Sequence, residues 1–93
     1  MNQTDVTYGK RTDVTYGQLD RALRSLGFSR RLLTKEPPAL RYEHKESGAL
    51  VPLPPFSEGD RVLDYHFVAV RTMLDNYGIA DPTAFAAELQ KAD

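Results

Sequence analysis

Proton-transfer chemistry in this 93-residue sequence would have to start from two histidines, His44 in Arg41-Tyr42-Glu43-His44 and His66 in Asp64-Tyr65-His66. Histidine is the side chain whose unperturbed pKa lies nearest neutrality, which suits it to act as general acid or base. Neither histidine sits in a ligand spacing such as H-E-x-x-H, and there is no cysteine. Disulfides, thiolate catalysis and cysteine-held zinc are therefore excluded, and no metal, cofactor or small-molecule substrate is expected. A lone histidine implies chemistry only inside a constellation of partners. His44 is expected to be a strand-end residue beside a hairpin turn, and His66 a partly exposed residue in the first turn of a helix.

The second kind of chemistry on offer is recognition of anions. The net charge of −1 hides an asymmetry: residues 1–45 hold nine Lys/Arg against five Asp/Glu, and residues 46–93 hold three against eight. Arg21, Arg24, Arg30, Arg31 and Lys35, with Arg41 and Tyr42 on the next segment, are the candidate nucleic-acid or partner-binding residues. A chain of overall balanced charge lacks the bias of a non-specific nucleic-acid binder. Scattered surface charge is the ordinary fate of such arginines. Tyr42 is expected to be buried against a helix, since large aromatic side chains usually build cores.

These residues must be positioned by one domain, because 93 residues are too few to divide a core. With 41% hydrophobic and 27% charged residues the composition is that of a folded, soluble chain. No apolar run approaches the roughly 18 residues that span a bilayer, and the N-terminal segment has no signal-peptide core. A cytoplasmic location without membrane contact is expected.

The hexapeptide TDVTYG occurs twice, at 4–9 and 12–17. After the second copy, Leu19, Ala22, Leu23 and Leu26 recur at helical spacing, Thr15 and Gln18 make a capping box, Val14 and Leu19 a hydrophobic staple, and Gly27 a left-handed stop before Phe28. The first copy is followed by Lys10 and Arg11, which can supply neither box nor staple. A helix is predicted over about 15–26, with residues 1–11 an N-terminal tail or loosely added strand and 12–93 the domain.

Three antiparallel strands are predicted next, in FSRRLLTK from Phe28, ALRYEH from Ala39 and ALVPLP from Ala49. Leu40, Tyr42 and His44 share one face, and Pro52 assigns the third strand to an edge because it cannot donate to a central ladder. A second helix is read from Asp64, with Asp60 or Asp64 as cap and Phe67, Val70, Leu74 and Tyr77 as its apolar stripe, widened by Val68 and Met73. Residues 58–61 are read into its start. Asp81 and Pro82 begin a short third helix over about 82–91, lightly docked. The whole is an α+β fold of the order α-β-β-β-α with an extra C-terminal helix, the helices lying on one face of a three-stranded antiparallel sheet.

LRSLGF at 23–28, LRYEHKESGALVPLP at 40–54 and VAVRTMLDNYGI at 68–79 resemble the HicA-like family of small bacterial toxins, which have a double-stranded-RNA-binding-domain-like fold. The resemblance covers about residues 15–80. It implies an antitoxin-like partner protein and, in active members, cleavage of messenger RNA by a histidine in a Gly-Ser-His-like segment at the start of the second strand. Aligning Tyr42-Glu43-His44 with the family's Tyr-x-His puts Ala39 in that histidine's place, with Pro37 and Pro38 where Gly-Ser would stand. Alanine can neither accept nor donate a proton. The expected function is thus a non-catalytic HicA-like module that binds a partner protein or, weakly, RNA. The alternative is an active, metal-independent endoribonuclease of the same family that uses His44, five positions from Ala39 and on the opposite face of the strand. Duplex RNA is not expected on the second helix, whose start carries Glu58, Asp60 and Asp64.

Overall fold

The computed structural model describes residues 10–35, 38–54 and 56–92. The chain runs β1 (Arg11–Thr15), α1 (Tyr16–Ser25), β2 (Phe28–Lys35), β3 (Pro38–His44), β4 (Ala49–Leu53), β5 (Arg61–Leu63), α2 (Asp64–Asn76) and α3 (Pro82–Lys91). The α+β class and the three-stranded antiparallel sheet hold, in the order β2-β3-β4. Tyr42 faces Arg30 on one side and Val51 on the other. Alternation decides what is buried: Phe28, Tyr42, His44, Ala49, Val51 and Leu53 point at the helices, while Arg41, Glu43, Leu50 and Pro52 form the open face. Pro52 lies on an edge strand, as its missing N–H requires.

Helix α1 starts where the sequence signals it. The Thr15 hydroxyl accepts from Gln18 N–H and the Gln18 side chain accepts from Thr15 N–H, completing the capping box. Gly27 at φ 101° ends the helix in the left-handed region that favours glycine. Leu19, Ala22 and Leu23 enter the core with Tyr42, Val51, Val70, Leu74, Phe85 and Leu89.

Four expectations are corrected. Residues 61–63 do not open a helix: they form β5, which pairs antiparallel with β1 as a separate two-stranded sheet that the sequence reading missed. Consequently neither Asp60 nor Asp64 caps α2. The chain enters that helix straight from the strand through Leu63, without a side-chain cap, and the Asp64 N–H donates to the Lys10 carbonyl. The α2 stripe also stops short, since Tyr77 is 51% and Val68 38% exposed. Helix α3 is firmly docked, with Phe85 and Leu89 buried and the Ser25 hydroxyl 2.9 Å from the Glu88 carboxylate. The tail expected at 1–11 lies outside the described residues up to residue 9, while Lys10 leads into β1 and Arg11 is its first residue.

Five of the six residues of the second TDVTYG, all but Asp13, have a task. The Thr12 hydroxyl donates to the Val62 carbonyl, Val14 packs on the core, Thr15 caps and Tyr16 stacks on Phe56 at 4.9 Å. Gly17 donates its N–H to the Glu58 carbonyl, and a Cβ there would stand 3.1 Å from that oxygen.

Candidate functional site

The arginines do not form one basic stripe. Arg21 pairs with Glu58 at 3.7 Å and donates to the Ala92 carbonyl. Arg24 and Arg30, from α1 and β2, converge on Asp20 at 3.2 and 3.4 Å. On the opposite, open face of the sheet Arg31 and Arg41 share Glu43, at 3.6 and 2.7 Å. Lys35 makes no ion pair among the described residues. The sequence reading missed these carboxylates. The Asp20/Arg24 spacing of four was legible as a helical pair, but Arg30 joins it only through the turn at Gly27.

Tyr42 is fully buried, and its hydroxyl donates to Asp20 at 2.6 Å. Burial first, and then the adjacent Asp20 carboxylate, push the Tyr42 hydroxyl well above the ordinary range, so it stays protonated and donating. With its ring covered, Tyr42 offers no stacking surface to a base.

His44 is buried at the end of β3. Ser47 N–H donates to Nδ1 at 3.2 Å, which makes Nδ1 an acceptor and places the ring proton on Nε2. The Ser47 hydroxyl lies 2.8 Å from the same Nδ1 and accepts from Ala49 N–H. These bonds close the four-residue turn at 45–48, and the ring tilts against Phe28 at 5.0 Å. His44 faces a cleft of about 350 Å³ that also holds Glu46 and Tyr77. Among the described residues no carboxylate is bonded to the imidazole to orient it as a base in a relay would require.

His66 is half-buried in the first turn of α2, a partly exposed residue as expected. Its Nδ1 lies 2.9 Å from the Tyr16 hydroxyl, which also accepts from Leu63 N–H. Desolvation first, and then the Arg11 guanidinium, lower its pKa below the usual imidazole value, favouring the neutral ring. Nothing in the sequence linked residues 50 positions apart, because the link depends on the β1–β5 pairing.

His66 stands at one end of a groove of about 350 Å³ between β4 and α2, lined by Leu50, Val51, Leu53, Ala69, Val70 and Met73. Among the described residues β4 is hydrogen-bonded to β3 alone, so its other edge borders this groove. Leu50 and Ala69, both exposed, bring this lining to the surface.

Comparison of the chain with protein-family models, with curated proteins and with solved structures found no match. Among the described residues no three His, Asp or Glu side chains are grouped to hold a metal ion, and no helix is long and apolar enough to cross a membrane.

Proposed function

We propose that the chain is a small, non-catalytic HicA-like module that binds an antitoxin-like protein, receiving an extended apolar segment along the outer edge of β4. The groove beside that edge carries this reading. A strand added to β4 gains main-chain hydrogen bonds except at Pro52, which has no N–H to give, and its alternate side chains drop between Val51, Leu53, Ala69 and Met73. The order of α1, β2, β3, β4 and α2 agrees with the order that the resemblance implies.

Ala39 in place of the family's histidine supports a binding rather than a cleaving role. So does the engagement of the His44 Nδ1 by its own hairpin. The division of five arginines among three carboxylates argues for partner contact over a polyanion running across the surface.

The test is amide exchange of Ala49, Leu50, Val51 and Leu53 with and without the candidate partner, next to Leu50→Glu and Ala69→Glu variants, both at exposed positions that line the groove. Slowed exchange and loss of binding in the variants are expected. Unchanged exchange in a saturated complex overturns the β4 docking. Incubation with messenger RNA tests the other half: metal-independent cleavage that His44→Ala abolishes would establish the ribonuclease instead.

A further inference from the structure

Resting on the β4 docking proposed above, we infer that His66 sets the specificity of the groove: its Nε2–H donates to the hydroxyl of a serine or threonine on the docked segment, with an apolar residue two positions away. Every other side chain that lines the groove, among them Val51, Leu53, Ala69, Val70 and Met73, lacks a hydrogen-bond donor. His66 therefore supplies the one side-chain donor among the described residues of the lining.

Tyr16 decides which ring nitrogen is free to act. Tyr16 is buried, and its hydroxyl accepts from Leu63 N–H at 3.4 Å and lies 2.9 Å from Nδ1 of His66. Nδ1 is the one acceptor within reach of that hydroxyl among the described residues, and a buried O–H is costly to leave unpaired. Nδ1 thus accepts, and Nε2 carries the ring proton. Nε2 itself makes no hydrogen bond among the described residues, where no buried side-chain nitrogen is left unpaired, so Nε2 is open to solvent. Desolvation, and then Arg11, oppose protonation of the ring, which keeps it a neutral donor.

The spacing follows from the two walls. The turn before β4 shares a cleft with Tyr77 beyond the end of α2, so β4 and α2 run in opposite directions and His66 stands at the Leu53 end of the groove. From His66 to Val70 the helix rises about 6 Å, close to the roughly 6.7 Å between same-face neighbours of a strand. A side chain that meets His66 is therefore followed, two positions on, by one at the level of Val70, where the lining is apolar. The chemistry of the first position follows from the neutral donor. An apolar side chain would cover Nε2–H without accepting from it. A carboxylate would be desolvated against a neutral ring, and protonating that ring at Nδ1 would take away the acceptor of the Tyr16 hydroxyl. An amide accepts but brings two further N–H donors, for which the lining has no side-chain acceptor. A hydroxyl accepts and has one hydrogen, which rotates to suit, and threonine also favours extended chain.

The test is selection of a phage-displayed library of random ten-residue peptides on the parent chain, on Ala69→Glu and on His66→Phe. The parent should enrich serine or threonine two positions from an apolar residue, His66→Phe should enrich the apolar residue alone, and Ala69→Glu should enrich neither. A selected peptide is then synthesised with its hydroxyl residue kept, replaced by valine, or replaced by aspartate. Valine should weaken binding to the parent about tenfold and leave binding to His66→Phe unchanged, a coupling that a merely structural role of His66 would not produce. NMR of the parent gives a reading that needs no variant: the His66 Nε2–H signal should shift with the hydroxyl peptide and not with the valine one. Equal binding of those two peptides by the parent, with binding lost in Ala69→Glu, overturns the role of His66 and leaves the β4 docking standing. Enrichment of nothing by the parent, or of the same peptides by Ala69→Glu, overturns the docking and the role of His66 with it. Tighter binding of the aspartate peptide overturns the hydroxyl in favour of a carboxylate held by a protonated ring and Arg11.

Discussion

The Tyr16 hydroxyl and Nδ1 of His66 lie 2.9 Å apart, joining the first residue of α1 to the first turn of α2 across the β1–β5 pair. The folded chain keeps His66 neutral because desolvation and Arg11 lower its pKa below the ordinary 6.5. On acidification the unfolded chain takes up a proton that the folded chain refuses, so stability falls as pH drops below that ordinary value. Melting temperatures measured from pH 7.5 to 5 should decline for the parent chain and flatten for His66→Phe. An equal decline in both would assign the pH dependence to other groups.

Tyr42 and Asp20 give a prediction about the sheet–helix junction. Tyr42→Phe removes the hydroxyl that donates to Asp20 while keeping the ring, and Arg24 and Arg30 still face the carboxylate. A hydrogen bond to a charged group contributes about 1.5–3 kcal/mol. For a domain of this size that lowers the melting temperature by roughly 10 °C. A shift of under about 2 °C would mean that the two arginines alone satisfy Asp20.

How far the sequence carried the fold follows from what kind of signal each element has. The capping box at Thr15, the stop at Gly27, the alternation through Tyr42 and His44 and the proline at N1 of α3 are local, and each was legible. Strands β1 and β5 have five and three residues and no apolar alternation of their own. They exist because they pair with each other across the whole domain, a non-local fact that no window of sequence contains. The site suffers in the same way. The arginines were visible, but their carboxylate partners arrive from other elements, so a basic patch in sequence becomes separate ion-paired spots in space.

Gly17 tests the register of the second TDVTYG against the loop before β5. A methyl at its Cα would meet the Glu58 carbonyl oxygen at 3.1 Å and the Glu58 Cβ at 3.2 Å. That carbonyl is held in place by Gly17 N–H, and the neighbouring Asp60 carbonyl by Tyr16 N–H. Gly17→Ala should therefore lose about 1 kcal/mol net despite the better helix propensity of alanine. Chemical denaturation measures it, and an increase in stability would show that the 57–60 loop yields without loss.

Thr15→Ala separates the helix start from the strand that precedes it. The Thr15 side chain accepts from Gln18 N–H while the Gln18 side chain accepts from Thr15 N–H, so the substitution opens one half of a reciprocal pair. A loss of about 1 kcal/mol is expected. Amide exchange should quicken first at Gln18, which loses its acceptor. Global quickening with no local excess would mean that the cap and the β1–β5 pair open together.

Helix α3 provides the largest expected effect. Phe85 is 1% exposed and stacks near Phe67 with ring centroids 5.5 Å apart. Beside it the Ser25 hydroxyl, and then Lys91, hold the Glu88 carboxyl below its usual range, tying α3 to the end of α1. Truncating a buried phenylalanine removes its transfer free energy and leaves a cavity, at a cost of about 3–5 kcal/mol. Phe85→Ala should thus bring the whole domain close to unfolding, whereas Ser25→Ala at the exposed end of the same interface should cost about 1 kcal/mol or less. The comparison decides between two ways in which α3 can be attached. If it is a cooperative part of the core, Phe85→Ala lowers the single melting transition of the domain. A separate early transition, with the main transition left where it was, would mean that α3 unfolds alone and that the sheet, α1 and α2 form the stable unit.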